Sequence, residues 1–111
     1  MEKKIYEERP LPFEECVSVG VSTTIMRFNI EETENGWECD EAQFNHKEPL
    51  TENDYGRMVS YLVRERFSED DVEAIQQNYI ESKTTEHKNE FLELKNWRAS
   101  VKAMAREVLG I

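Results

Sequence analysis

The sequence predicts an α+β fold in which a small N-terminal antiparallel sheet of two to three strands packs against three C-terminal α-helices. Between residues 16 and 45 apolar residues alternate with a period of two, which is the spacing of a strand with one buried face. From residue 51 onward the apolar spacing changes to three and four, as in amphipathic helices. The chain has 111 residues, which is the length of a single domain spanning residues 1–111, with 1–15 as an extended arm.

The segment of residues 7–15 carries two prolines, Pro10 and Pro12. Each proline fixes its own φ and favours extended backbone at the residue before it. We interpret this segment as an arm or connector whose Leu11 and Phe13 dock on the core, and we assign no strand to it.

Three strands are predicted for the sheet, at residues 16–21, 26–30 and 37–44. An Asn-Gly pair before the third strand tolerates positive φ and predicts a turn there. A three-residue loop at this turn would set Ala42 and Phe44 on the face of Met26, whereas a two- or four-residue loop would set Cys39 there. We favour the four-residue loop 33–36 because it leaves the neighbouring carboxylates in water.

The tip of this hairpin is the most one-sided stretch of charge in the chain. Its six acids have no base among them: Glu31, Glu32, Glu34, Glu38, Asp40 and Glu41. The spacing lacks the alternating Asp/Asn pattern of an EF-hand, so calcium or magnesium is not expected there. Two interpretations stay open, namely a solvated edge that discourages strand addition and a docking surface for a basic partner.

Two capping signals define the first two helices. Thr51 is a candidate N-cap for the first helix, and Ser68, followed by three acids, is a candidate N-cap for the second. About two residues separate the helices, so they are expected to be neighbours in a hairpin or a steeper corner. The predicted buried stripes are Tyr55, Met58, Val59, Leu62 and Val63 on the first helix and Val72, Ile75, Tyr79 and Ile80 on the second.

The longest helix is predicted for residues 86–109, with Thr85 as N-cap and Gly110 as the left-handed stop. Its apolar stripe, with 4,3 spacing, is Leu94, Trp97, Val101 and Met104, widened by Phe91, Ala105 and Leu109. One interpretation of this stripe is a core face. The other is a homo-oligomer seam, since a helix of about 36 Å is longer than two short partner helices need.

The net charge of −10 restricts the partners of the protein. Such a surface repels phosphate backbones and anionic membranes, so neither nucleic acid nor membrane is expected as a partner. Other proteins with basic or neutral surfaces remain. The N-terminus lacks the apolar region of a signal peptide, and no segment has the length of a membrane span. The expected location is therefore the cytoplasm.

The chain offers few residues for catalysis or metal binding. The candidate bases are His46, in a predicted linker 46–50 that includes Glu48, and His87, in the first turn of a helix. Neither is part of a nucleophile motif or a glycine-rich phosphate loop. The spacing of Cys16 and Cys39 relative to the histidines matches no zinc template, and both thiols are expected to be reduced. We expect no cofactor, no metal and no catalytic residue.

Two long segments carry a resemblance to a known group. The stretches DYGRMVSYLVRERFSEDDVEAIQQNYI and ELKNWRASVKAMAREVLG, and more loosely NGWECDEAQF, resemble a group of short proteins encoded in the tail regions of phages and prophages of Bacteroides-type gut bacteria. This resemblance covers about the last sixty residues and the preceding hairpin. It implies a virion-associated or tail-assembly role rather than catalysis, with the cytoplasm of the host as the place of assembly.

These observations lead to two functional hypotheses. The first is a non-enzymatic phage structural or tail-assembly accessory protein that acts through protein contacts, with the stripe of Leu94 and Trp97 as the interface. The alternative is an acidic inhibitor or nucleic-acid mimic that occupies a basic groove on its partner with the tip between Glu31 and Glu41. The first predicts apolar association that is insensitive to salt, whereas the second predicts binding that weakens steeply as salt rises.

Overall fold

A computed structural model describes residues 1–47 and 49–111 of the chain. The fold is α+β, as predicted, with a four-stranded antiparallel sheet followed by three α-helices. The chain divides into two compact units, Met1–Asp54 and Tyr55–Ile111. The sheet belongs to the first unit and the α-helices belong to the second. The predicted packing of the helices on the sheet stays a prediction.

The sheet has one strand more than predicted. Its strands are β1 (Glu2–Tyr6), β2 (Phe13–Ser18), β3 (Val21–Thr33) and β4 (Gly36–His46), in the spatial order β1-β4-β3-β2. The predicted arm 1–15 is therefore wrong, because it contains β1 and the start of β2. The long β3–β4 hairpin leaves two open edges, and each edge is paired by one of these strands. The two prolines lie in the connection between them, where a missing backbone N–H disturbs no strand pairing.

The second strand begins and ends earlier than the alternation of Val17, Val19 and Val21 predicted. A tight turn at Val19 and Gly20, with φ of 77° at the glycine, separates β2 from β3. Val21 is the first residue of β3 and pairs with Ser18. All three valines are exposed, so they do not form a core face.

The β3–β4 hairpin closes with a two-residue loop, because Thr33 pairs with Gly36. The favoured four-residue loop is wrong. A bulge in β3 after Phe28, where Asn29 has φ of 55°, shifts the pairing by one residue. The bulge therefore places Met26 opposite Ala42. This is the pairing that a three-residue loop would give in a hairpin without a bulge.

The strand register defines two faces of the sheet, since directly opposed residues lie on the same side. We call the side that holds Met26 and Phe44 the Met26 face, and the side that holds Arg27 and Glu41 the Arg27 face. The buried residues of the Met26 face are Ser22, Thr24, Met26, Phe28, Ala42, Phe44 and His46. His46 is thus the buried last residue of β4 rather than part of a linker, and Glu48 of that predicted linker lies outside the described residues.

The helical unit follows a short 3-10 helix (Glu52–Asp54) and contains α1 (Tyr55–Arg64), α2 (Glu69–Glu81) and α3 (Thr85–Leu109). The N-cap at Ser68 is confirmed, with a reciprocal capping box to Asp71. The N-cap of α3 is Thr84, one residue before the predicted Thr85, and its hydroxyl accepts from the N–H of His87. Gly110 ends α3 in the left-handed conformation, as predicted.

Buried side chains of the helical unit come from α1 and α3: Met58, Leu62, Leu94, Trp97, Val101, Met104 and Ala105. The indole N–H of Trp97 donates to the carbonyl of Leu62 at 3.1 Å, which ties the two helices together. The stripe predicted for α2 is only partly confirmed, because α2 has no fully buried residue and Ile80 is exposed. Among the helices of residues 1–47 and 49–111, none combines the length and apolar character of a membrane span.

Candidate functional site

The six acids predicted at the hairpin tip fall into two groups in the structure, four near the loop and two, Asp40 and Glu41, further along β4. Glu31, Glu32 and Glu34 are exposed at the end of the hairpin, and Glu38 follows on β4. We call these four residues the acidic hairpin end. Their placement follows from the hairpin, because Glu31 and Glu32 lie at the end of β3, Glu34 lies in the two-residue loop and Glu38 lies near the start of β4.

Two acids of this surface face each other directly. Glu31 of β3 pairs with Glu38 of β4 in the register, so two like charges lie on the same face at neighbouring positions. Opposed like charges destabilise a strand pair by some tenths of a kcal/mol to about 1 kcal/mol. Lys3 of β1 relieves part of this repulsion, since its Nζ lies 3.5 Å from Glu38 and 3.8 Å from Asp40.

The remaining three acids of the tip have no such neutralising contact. Within residues 1–47 and 49–111, no ion pair involves Glu31, Glu32 or Glu34. A cationic partner would therefore meet these carboxylates without first displacing a base of the chain. No group of three or more metal-ligating residues occurs in the described part of the chain.

Glu41 does not belong to the acidic hairpin end, although it was predicted with it. It lies on the Arg27 face, where Arg27 Nε donates to its Oε2 at 3.0 Å and the hydroxyl of Tyr6 donates to the same oxygen. Arg27 is only 6% exposed. Glu41 is therefore one half of a largely buried ion pair and is unavailable to a partner.

The guanidinium of Arg27 uses its donors in three directions. Besides Glu41 it donates from Nη1 to the carbonyl of Leu11 and from Nη2 to Glu14, each at 3.0 Å. It also lies over the ring of Tyr6, 5.2 Å from the ring centroid. These contacts join β1, β2, β3, β4 and the β1–β2 connection, so the cluster fixes the outer strands to the central hairpin.

The electrostatics of the cluster follow from its burial and its hydrogen bonds. Burial by itself lowers the pKa of Arg27, but the contacts with Tyr6, Glu14 and Glu41 outweigh it and hold the pKa above its ordinary value. The hydrogen bond to Glu41, helped by burial, raises the pKa of Tyr6. At neutral pH the arginine is charged and the phenol is neutral. This pattern is that of a structural ion pair.

This cluster was not among the predicted sites, although the sequence contains a signal for it. Arg27 is the sole lysine or arginine between residues 10 and 46, and it lies between two apolar residues of a strand. A lone base in a strand surrounded by acids is a candidate for a buried ion pair, since a buried charge requires partners.

The apolar stripe of α3 is not an exposed interface. Leu94, Trp97, Val101 and Met104 are 1%, 4%, 0% and 9% exposed. Their side chains are core residues, because helical periodicity marks a buried face without indicating what buries it. The interface assigned to this stripe is thus not available on the surface of the folded chain.

The contacts of His46 with Thr24 and Glu15 are made through one ring nitrogen, and the two cysteines are free thiols. Nε2 of His46 lies 2.9 Å from the hydroxyl of Thr24 and 4.0 Å from Glu15. The hydroxyl and the carboxylate therefore approach the same ring nitrogen, whereas a catalytic relay needs the acid to orient the opposite nitrogen. Cys16 is exposed and Cys39 is buried, and burial raises the pKa of the Cys39 thiol.

Comparisons with known proteins identify no relative of the chain. Searches of protein-family models, of curated proteins and of solved structures found no match to the chain. The resemblance to short proteins from phage tail regions stays a prediction, and the surfaces described above carry the functional argument.

Proposed function

We propose that this chain is a non-enzymatic binding protein that acts through protein–protein contacts and docks a basic surface on its acidic hairpin end. The observation that carries this proposal is the exposure of Glu31, Glu32 and Glu34 without an ion pair, on a chain with a net charge of −10. Unpaired surface charges of one sign attract an oppositely charged partner and accelerate its association.

Within this class, the proposed role is that of a phage structural or tail-assembly accessory protein in the cytoplasm of the host. Its support is the resemblance of the last sixty residues to proteins of phage tail regions. Burial of the α3 stripe moves the proposed contact from that helix to the sheet. The basic partner would be a second structural protein.

A second candidate function is an acidic inhibitor or nucleic-acid mimic, and the same surface favours it. Glu31 and Glu32 lie at the end of β3 and Glu34 follows in the loop, so three exposed carboxylates lie within four residues. Closely spaced negative charges are also what a nucleic-acid strand presents to a basic groove. The two functions differ in the partner, since the mimic would compete with a nucleic acid for its groove.

The experiment that tests the docking surface compares two variants with the same net charge. The tip variant is Glu31→Gln, Glu32→Gln and Glu34→Gln. The control variant neutralises three exposed acids of the helices, Glu73→Gln, Glu93→Gln and Glu107→Gln. The probe is a fluorescent peptide of alternating lysine and alanine, and the readout is its anisotropy.

At about 0.5 kcal/mol for each exposed charge pair, the tip variant is expected to bind the peptide about tenfold more weakly than the wild-type chain. The control variant is expected to stay within about twofold of the wild type. Equal weakening of the two variants would show that the peptide responds to net charge alone, and the proposed surface would be rejected.

A further inference from the structure

The two edges of the sheet are both exposed strands. β1 and β2 are the outer members of the order β1-β4-β3-β2, so each has one row of backbone N–H and C=O groups that points away from the sheet. The side chains on these strands are exposed as well, including Ile5 at 54% and Val17 at 57%. Such edges are templates for a further strand.

The two edges carry opposite charges. β1 presents Lys3 and Lys4, whereas β2 presents Glu14 and Glu15. β2 has no lysine or proline between residues 13 and 18 to prevent strand addition, and the two lysines of β1, which disfavour most added strands, would be neutralised by the acids of β2. Each edge thus repels a copy of itself and attracts the other edge.

The directions of the strands permit the two edges to pair between copies. Three successive antiparallel pairings separate β1 from β2, so these strands run in opposite directions. If a second copy is placed beside the first without being turned over, its β1 runs antiparallel to β2 of the first copy. Antiparallel addition is the slightly more stable arrangement for each residue.

One register satisfies the charges and the faces together. When Glu14 lies opposite Lys4 of the second copy, Glu15 lies opposite that copy's Lys3 and Phe13 lies opposite its Ile5. The intrachain pairings place Phe13, Glu15, Lys3 and Ile5 on the Met26 face and Glu14 and Lys4 on the Arg27 face. Every pair in this register therefore joins residues of the same face.

We propose that copies of this chain assemble head to tail, with β2 of one copy adding to β1 of the next. The contact is heterologous, so it repeats until the rotation closes a ring or a helical filament grows. With a twist of roughly 20–25° for each strand, four strands turn successive copies by about 80–100°. The self-assembly surface is distinct from the acidic hairpin end and would leave Glu32 and Glu34 exposed along the assembly.

The ion pairs inside one chain leave the charged side chains of this contact exposed, including Glu15, whose side chain is 36% exposed and lies 4.0 Å from Nε2 of His46. Nη2 of Arg27 holds only Oε1 of Glu14, and the side chain of Glu14 is 48% exposed. Lys3 is 62% exposed while it contacts Glu38, and Lys4 pairs with Glu2 at 3.1 Å. Exposed pairs of this kind contribute about 0–1 kcal/mol, so they exchange readily for pairs between copies.

A disulfide trap tests the register directly. The proposed register sets residue 2 of one copy opposite Cys16 of the next, so Glu2→Cys is expected to form intermolecular disulfides under mild oxidation. Three strand spacings of about 4.8 Å separate β1 and β2 within one chain, which is too far for a disulfide. Cys39 is 1% exposed and does not compete.

The expected result is a ladder of dimers, trimers and larger species on a non-reducing gel. The double variant Glu2→Cys with Cys16→Ser should give no ladder. A third variant, Lys88→Cys on the exposed side of α3, measures random collisions between thiols. A ladder from Glu2→Cys no stronger than the ladder from Lys88→Cys would overturn the proposal.

Charge reversal provides a test without a new cysteine. Lys3→Glu and Glu15→Lys are each expected to reduce the mass of the assembly measured by sedimentation velocity over a range of concentrations. Combining the two changes in one chain restores opposite charges across the contact and should restore the assembly. A folding defect would not be repaired in this way, and circular dichroism checks the fold of each variant. A wild-type chain that stays monomeric at every concentration would contradict the proposal.

Discussion

Replacement of the buried arginine gives the sharpest test of the sheet unit. In Arg27→Met the carboxylate of Glu41, with its side chain 15% exposed, keeps only the hydroxyl of Tyr6 as a donor. Loss of a charge-assisted hydrogen bond to this buried carboxylate costs about 1.5–3 kcal/mol, and the carbonyl of Leu11 that loses its donor adds about 1 kcal/mol. Loss of the half-exposed pair with Glu14 adds about 0.5 kcal/mol after allowance for solvent.

The expected loss is therefore about 3–4.5 kcal/mol in the free energy of unfolding, within the range for breaking a buried ion pair. The assay is urea unfolding followed by tryptophan fluorescence in a Trp97→Phe background, so that the signal comes from Trp37 in the sheet unit. The double variant Arg27→Met with Glu41→Met removes both charges and is expected to recover at least half of the loss. A loss below about 1 kcal/mol in the single variant, or a double variant that is less stable than the single one, would refute the reasoning.

Three further predictions follow from single residues. Trp97→Ala should lower the free energy of unfolding, measured in urea, by about 3–5 kcal/mol. The control Leu92→Ala, on the exposed side of α3, should change it by less than about 0.5 kcal/mol. Similar losses in the two variants would place Trp97 outside the core. Gly36→Ala should lower the free energy of unfolding by at least about 1–3 kcal/mol. The reason is that φ of Gly36 is +123° and an added Cβ would lie 2.5 Å from the carbonyl oxygen of Tyr6. The control Gly56→Ala on α1, where an added Cβ has no atom within 4 Å, should not lower the stability. The raised pKa of Tyr6 means that the folded state holds the phenol proton more tightly than the unfolded state does. The contribution of this group to stability is therefore full below pH 10.0 and is lost as pH rises through the folded pKa. In urea unfolding Tyr6→Phe should lack this alkaline loss, and an equal loss in the wild type and the variant would contradict the prediction.

The helices are the part of the fold that local sequence determines. The Ser68 capping box and the left-handed Gly110 satisfy backbone groups within a few residues, so their signals are readable from the sequence. The spacing around Leu94 and Trp97 correctly predicts a buried stripe. The spacing does not show whether the stripe is covered by the same chain or by a second copy. The sequence therefore left the homo-oligomer seam open as an interpretation.

The sheet was harder to predict because its pairings are distant in sequence. β1 pairs with β4 across more than thirty residues, for example Lys4 with Cys39, and its short, charged sequence has no alternation. The bulge at Asn29 moves the register by one residue and reverses which side chains share a face. No local propensity reports such a shift.

The candidate site was predicted in part. The acids from Glu31 to Glu34 are exposed as the sequence suggested, since charged residues near a turn remain in water. Glu41 differs from them because it lies further along β4, where Arg27, a base fourteen residues away, pairs with it. Sequence alone identifies the charge of this segment but does not identify which charges are already paired.

The salt dependence of peptide binding is the decisive measurement for docking on the acidic hairpin end. The dissociation constant of the lysine-alanine peptide is measured over a series of salt concentrations for the wild-type chain, the tip variant and the control variant with three neutralised helical acids. Docking on the acidic hairpin end predicts steep weakening with salt for the wild type and the control, and a shallower dependence for the tip variant, because screening acts on exposed charges. Binding that is insensitive to salt, or three parallel curves, would contradict the account.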